Sequence, residues 1–243
     1  MPIFTMLLII AIWETSVTVL EVNPLVLPSP HAIAISSMKN AGTLFSETAY
    51  TMAEAVSGFV VGAIVAYGFA ILFAQYRWAA EAMLPFAIIL KATPLIVLAP
   101  PIVMWAGNGF VSKAIMAGLV SFFPVLIGGL RGLRSIDPEA VDLMKSLGAS
   151  NWQFLVAIRI PGSLGYLFAS LKVASSLAVV GAIIGELVGS KRGVGNLINQ
   201  SSYYLETALV FAAIGFVSIS AVVFFGLIAL AEKKIIFWQE PVT

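Results

Sequence analysis

The chain alternates long apolar runs with short polar breaks. Runs near 3–20, 52–74, 84–106, 111–130, 164–189 and 208–231 each hold roughly the 20 residues a helix needs to cross about 30 Å of hydrocarbon. Six spanning helices are predicted on this count, in a single unit covering 1–243. Pro94, Pro100 and Pro101 must kink the third of them and leave carbonyls for neighbours to satisfy. The longest polar interruption runs from Arg131 to Pro161. In it, Asp137 is placed to N-cap a helix starting at Pro138, and Gly148 stands where a left-handed residue would close that helix. Ala140, Leu143, Met144 and Leu147 recur at i, i+3, i+4 and i+7, an apolar stripe opposite Glu139, Asp142 and Lys145. Ser150 and Gln153 form a capping box for a second short helix, which the Ile160-Pro161 step is expected to end. With Arg131, Arg134, Lys145 and Arg159, this helix-turn-helix elbow is too costly for lipid and must lie outside the bilayer.

Composition narrows the class. Of 243 residues, 60% are hydrophobic and 10% charged, less than half the charged share of a soluble domain, so the chain is an all-α polytopic membrane protein. A net charge of +1, with no Lys/Arg-rich run, gives no argument for nucleic acid. Absence of cysteine removes disulfides, CxxC redox chemistry and thiolate metal sites, and His31, alone in a proline-rich loop, cannot make a cluster. Residues 3–20 carry no Lys or Arg ahead of the apolar stretch and no clear A-x-A site after it. A retained, somewhat short first span is therefore expected rather than a cleaved signal.

The elbow resembles the signature loop of ABC importer permeases, whose pattern is E-A-A, three residues, Gly, nine residues, then I-x-L-P. Here Asp142-Leu143-Met144 stands at the first position, Gly148 at the glycine and Ile158-Arg159-Ile160-Pro161 at the end. Asp replaces Glu, Leu-Met replaces Ala-Ala, and Ile replaces the Leu before proline, while residues 145–150 fit the nitrate/sulfonate/taurine-type branch. The plainer reading is a solvated loop with two surface helices, against which stands a spacing kept over twenty residues. Leu27-Pro28-Ser29-Pro30 is similar to a Leu-Pro-Ser-Pro segment of the same branch, with Ser29 and Pro30 placed to start a short outer helix. Thr93-Pro94 through Trp105-Ala106-Gly107 resembles the family's proline-broken helix, and Trp238 matches a tryptophan near its C-terminus.

This resemblance implies the membrane-spanning subunit of an ATP-binding cassette importer of the type I permease fold. Its partners would be a cytoplasmic ATP-binding subunit, an extracytoplasmic solute-binding protein, and a second permease copy or similar permease. Glu139, Asp142, Lys145, Gly148, Ala149 and Ser150 would then carry the ATPase coupling. The implied location is the bacterial inner membrane with both termini cytoplasmic. Seven basic residues (Arg77, Arg131, Arg134, Lys145, Arg159, Lys233, Lys234) would then face in and four (Lys39, Lys113, Lys191, Arg192) out.

Two stripes of small residues, Gly58, Gly62, Ala66 and Ala70, and Gly181, Gly185 and Gly189, would let helices approach closely in lipid. Packing is preferred for them over solute contact. Lys91 and Lys172, within spans, are read as snorkelling toward the cytoplasmic end rather than touching solute. Lys91 and Pro94 are nevertheless candidates for the translocation path. Glu186 has three open roles: a cap, a partner for Lys191 or Arg192, or a gate at the outer mouth. No G-x-x-x-x-G-K-[ST] cradle exists, so ATP and its Mg would be bound by another chain and no cofactor is expected here. With neither His nor Cys at membrane depth, intramembrane hydrolysis is not expected. An ion-gradient-driven secondary carrier is the alternative, since the kinked third helix is one of its features.

Overall fold

The computed structural model describes residues 2–237, apart from the side chains of Pro2, Ile3 and Lys145. Trp238 therefore lies outside the described residues. Eleven α-helices follow one another among them: α1 (Pro2–Val19), α2 (Pro30–Lys39), α3 (Ala41–Gln75), α4 (Arg77–Ala92), α5 (Leu95–Ala106), α6 (Phe110–Arg134), α7 (Pro138–Ser146), α8 (Asn151–Phe154), α9 (Ile160–Leu187), α10 (Val194–Tyr203) and α11 (Thr207–Ile235). Four helical runs are long and apolar enough to cross a bilayer: Ala41–Gln75, Phe110–Arg134, Asn151–Leu187 and Thr207–Ile235. The pair α4 and α5, bent by 101° at its break, supplies a fifth if it counts as one span. The remaining run, Phe4–Val19, is a shorter apolar helix whose apolar side chains are mostly exposed.

The sequence-based span at 52–74 grows by about three turns at its N-terminus, because Ala41 to Thr51 continue the helix without Pro or a break. Residues 84–106 divide, since Pro94 has no N–H to give Leu90 and disfavours the helical conformation at Thr93. Thr93 caps what is left: its N–H reaches the Ile89 and Leu90 carbonyls, and its hydroxyl donates to Ile89 O at 3.1 Å. The expected stop at Pro161 does not occur. Residues Leu155–Arg159 form a π turn that runs straight into α9 with Pro161 in its first turn. The wider turn removes the clash between the proline ring and the preceding carbonyls, so α8 and α9 are continuous.

Helix α6 is sandwiched between α3 and α9, the two most extensive helix pairings in the molecule. The backbones touch where side chains are missing. A Cβ on Gly62 would stand 2.6 Å from Gly118 O, one on Gly181 2.9 Å from Met116 O, and one on Gly185 3.1 Å from Lys113 Cγ. At Gly58 it would collide with Ala114 O. The matching surface of α6 is Ala114, Ala117 and Gly118. Helix α11 closes the bundle through Phe224 against Phe59, edge to face at 5.1 Å, and through Glu232, which accepts from Lys172 Nζ at 2.8 Å. That ion pair gives Lys172 a protein partner in place of the solitary snorkelling expected for it.

Leucine on such a surface forces helices apart, and a bilayer offers no compensating hydrophobic drive. Gly62→Leu is expected to lower the thermal midpoint of the detergent-solubilised protein by roughly 2–10 °C. Gly68→Leu, on the same helix with no atom within 4 Å of its Cβ position, is expected to leave it in place. Equal shifts would mean that the stripe on α3 does not set the helix spacing.

Candidate functional site

The elbow is built as its capping residues require. Asp137 Oδ1 accepts from Glu139 N at 3.0 Å and Asp137 O from Val141 N, fixing the start of α7. At the other end Gly148 has φ 68°, and Ala149 N donates back to Met144 O at 3.0 Å, the six-to-one bond of a Schellman closure. Ser150 and Gln153 then exchange side-chain and backbone bonds (2.8 and 3.3 Å), which opens α8. Thus two short helices meet at a fixed angle. The apolar stripe splits, however. Val141, Met144 and Ala149 gather with Phe154 and Arg159 around an inner pocket of about 160 Å³. Leu143 and Leu147 face outward at 59% and 71% exposure, and Trp152 on α8 is 69% exposed. Glu139, Asp142, Gly148 and Ser150 are exposed as well.

Both roots of the elbow are tied to the end of α3. Arg134 Nη2 donates to Phe73 O at 2.8 Å and Arg159 Nη1 to Ala74 O at 3.3 Å, so arginines from α6 and from the π turn satisfy successive carbonyls of one helix C-terminus. Arg159 also lies over the Phe154 ring, 4.9 Å from its centroid. Close to the base, Tyr67 and Ser163 share a hydrogen bond of 2.8 Å. Gly132 approaches so near to Ser163 that a Cβ would fall 2.9 Å from the serine Cβ.

A cavity of about 330 Å³ opens at the break between α4 and α5, walled by Lys91, Thr93, Pro94, Leu98, Phe123 and Leu177. Phe123 and Leu177 lie near the middle of α6 and α9. Lys91 therefore lies level with the centre of the bundle, not at the end that carries the elbow, because the bend carries the end of α4 inward. Its walls are otherwise largely apolar.

At the far end from the elbow, side chains of α3 and α9 hold the start of α10. Glu186 is 1% exposed. Its Oε1 accepts from the Thr51 hydroxyl at 2.6 Å and its Oε2 from Gly195 N at 2.6 Å. Thr51 Oγ1 accepts in turn from Val194 N at 2.8 Å, and Glu47 from Gly193 N. Three successive backbone donors are thus satisfied from outside their own helix. Gly193 has φ 94°, and a Cβ on Gly195 would fall 2.8 Å from Ile183 O, so this docking needs both glycines. Glu186 thus stands where a cap of α10 would, while Arg192, one of its two expected basic partners, pairs with Glu47 at 3.2 Å and covers the Tyr50 ring instead. Lys113, taken from sequence as an outer-loop charge, is 0% exposed on α6 and donates to Asn108 Oδ1 at 2.6 Å. Glu54, also 0% exposed, has no hydrogen-bond partner among the described residues.

Sequence reasoning missed Trp152, the α3-capping use of Arg134 and Arg159, and the set Glu47, Thr51 and Glu54. The last had a signal. Glu47, Thr51, Glu54, Gly58 and Gly62 step by four, three, four and four, so the polar residues extend the small-residue stripe on one face of α3. Among the described residues no group of three or more His, Cys, Asp or Glu is arranged to hold a metal ion.

Residues 58–237 match the model of the family described as binding-protein-dependent transport system inner membrane component. The chain is 31% identical over 237 residues to the riboflavin transport system permease protein of Chloroflexus aurantiacus, covering 97% of this chain and 88% of that one. It is 27% identical over 240 residues to the formylaminopyrimidine transport permease protein of Halalkalibacterium halodurans, covering 98% and 96%. Among solved structures, the inward-facing MetNI methionine ABC transporter superposes with a TM-score of 0.63 at 16% identity, over 80% of this chain and 95% of that one. An amino acid ABC transporter with histidines gives 0.65 at 16%, over 82% and 97%. These last two share the fold.

Glu186→Ala is expected to leave the Gly195 N–H without an acceptor and the Thr51 hydroxyl with only the Glu47 carbonyl of its own helix, at 3.1 Å, a loss of about 1–3 kcal/mol. Amide hydrogen exchange at 193–197 should then quicken roughly 5- to 150-fold, with the middle of α3 unaffected. Unchanged exchange would mean that apolar packing alone holds α10.

Proposed function

We propose, for a chain that belongs to the family of binding-protein-dependent transport system inner membrane components, that the elbow is the docking element for an ATPase and the cavity at the helix break part of the solute path. As a member it is a multi-pass permease subunit of an ATP-binding cassette importer with the type I permease fold, and not itself an enzyme. One observation carries the docking assignment. Leu143 and Leu147, one turn apart at the end of α7, and Trp152 on α8 are all exposed apolar side chains, with Glu139 and Asp142 exposed on α7 as well, on an element too charged to enter lipid. Exposed apolar and charged side chains together are what a protein interface is made of. Lys145, Gly148, Ala149 and Ser150 belong to the same element.

The motion follows from the anchoring. Closure of an ATPase dimer would draw two elbows together, one on each of two permease copies. Each elbow would move its bundle as a body, because its roots are α6 and the α8–α9 helix and both are pinned to α3. Nucleotide and Mg would reside on the ATPase. An ion-driven carrier needs no exposed docking element of this kind.

Lys91 and Pro94 would line the path, and Glu186 would act at its outer mouth by holding α10. Curated relatives are named for solutes as different as riboflavin, formylaminopyrimidine and aliphatic sulfonates. A largely apolar cavity with one fixed cation has little means of telling such solutes apart. Selection would therefore rest with an extracytoplasmic solute-binding protein that meets the end of the bundle carrying α2 and α10. The protein would lie in a bacterial inner membrane with the elbow and both termini in the cytoplasm, in keeping with the excess of Lys and Arg on that side.

Gly148→Val tests the lever. No atom lies within 4 Å of the Cβ position, so the cost of roughly 1–2 kcal/mol is backbone strain alone and falls outside the membrane. The variant is expected to keep its detergent-stable bundle yet co-purify with much less ATPase and lose solute-stimulated ATP hydrolysis in reconstituted vesicles. Wild-type stimulation would favour the ion-driven carrier.

Orientation is tested by thiol labelling, since the chain has no cysteine of its own. Ser202→Cys, at an exposed position, is expected to react with an impermeant reagent in intact cells, and Ser146→Cys only after lysis. The reverse pattern would invert the topology.

A further inference from the structure

Beside the elbow, on the face where α4 leaves α3, lies a cleft of about 700 Å³, larger than the cavity at the helix break. Three guanidiniums line it: Arg77, Arg134 and Arg159. Arg134 and Arg159 each direct a hydrogen bond to an α3 carbonyl, at Phe73 and Ala74, which brings them side by side and leaves further N–H donors on both. Arg77 sits at the rim, 90% exposed, and pairs with the cleft's one carboxylate, Glu81, at 3.0 Å. Positive charge is therefore in excess by two.

The opposite wall is apolar. Ala80, Leu84, Pro85 and Ile88 line it, and beyond it α4 continues with Phe86 (72% exposed) and Ile89 (65%). An exposed pair of aromatic rings, Tyr76 and Trp78, stands 6.4 Å apart at the start of the same helix, the placement of an interfacial belt. The aromatic rim flanks Arg77 at the start of α4 and the apolar wall follows it along the helix from Ala80 to Ile88, so basic and aromatic groups stand together and the apolar wall comes after, the order of headgroup and acyl chain in a lipid.

We propose that this cleft binds a membrane phospholipid with an anionic headgroup, the phosphate on Arg134 and Arg159 with Arg77 beside it, and an acyl chain along Leu84 and Ile88. Guanidinium forks match phosphate oxygens, and basic recesses between helices at one membrane face take acidic lipids. Free phosphate would meet the same arginines but leave the apolar wall unused. Bound here, the lipid joins the end of α3, the start of α4 and both roots of the elbow, so the lever would be seated against the bilayer itself. The inference needs the membrane-spanning fold but not the ATPase assignment.

The permease, purified with whatever subunits accompany it, is exchanged into mixed vesicles of phosphatidylglycerol and phosphatidylcholine with identical acyl chains. Retained lipids are then counted by native mass spectrometry. Phosphatidylglycerol is expected to be retained preferentially, with the preference reduced about tenfold in Arg77→Gln/Arg159→Gln. Arg77→Glu, a change at an exposed rim residue that leaves the α3 caps intact, is expected to reduce it at least threefold. Millimolar inorganic phosphate should not displace the lipid. Equal retention of the two lipids by the wild type, or an unchanged preference in Arg77→Glu, would overturn the proposal. Full displacement by phosphate would reassign the cleft to a soluble anion.

Discussion

Close approach of backbones around α6 is the constraint on which the rest depends. In lipid, apolar side chains gain little by leaving hydrocarbon for protein, so association must come from dense contact and from polar groups that find each other. Gly58 and Gly62 on one side and Gly181 and Gly185 on the other remove the side chains that would hold α3 and α9 away from Ala114, Ala117 and Gly118. Lys113, Glu54 and Glu186 are fully buried on these same three helices, and the cost of excluding solvent from Lys113 and Glu186 is offset by their bonds to Asn108, Thr51 and Gly195. The outer docking of α10 inherits that geometry, since Thr51 and Glu186 come from opposite sides of the sandwich yet meet at 2.6 Å.

The same helices carry the elbow. Helix α6 enters it, the α8–α9 run leaves it, and α3 receives its two arginines, so a force on α7 reaches the core of the bundle through only two short capped connections, 135–137 and 147–150. Hydrogen bonds at 2.8 and 3.3 Å to successive carbonyls cross-link three chain segments at the point of greatest leverage. Farther from that axis, α4 and α5 are broken and bent, and α1 is short and exposed, so mobility of the assembly would fall to these outer elements.

Local rules were legible in the sequence wherever one residue type solves one backbone problem. Gly148, the Ser150–Gln153 box, the Asp137 cap and the Ser29–Pro30 start of α2 all occur where spacing placed them, Ser29 accepting from Ala32 N. The glycine stripes were legible as periodicity, but the partner surface was not, because Ala114, Ala117 and Gly118 are ordinary residues in any apolar helix. Pro161 misled because the rule for proline presumes α geometry on both sides, and a π turn lifts that presumption. The division of Leu143 and Leu147 from Met144 was hidden because a stripe tells which residues share a face of a helix, not how the helix rolls on its support. Lys91 was misplaced for lack of the bend, and the partners of Glu186 for lack of 135 residues of intervening topology.

The π turn at Leu155–Arg159 has a consequence for how the elbow is aimed. Such a turn holds one residue more than an α-helix would over the same rise, and one residue of α-helix is about 100° of rotation. Deleting a single residue there, and letting the segment relax to regular helix, would swing Trp152 and the apex around the axis of α9 by about that amount, at the expense of the contacts of Leu155 and Arg159 but with the close approach of α9 to α6 at Gly181 and Gly185 kept. The azimuth of the docking face is thus separable from the packing of the bundle. A one-residue change of length at this site would therefore re-aim the elbow toward a differently shaped partner while the glycine-lined contacts of α3, α6 and α9 stay in place.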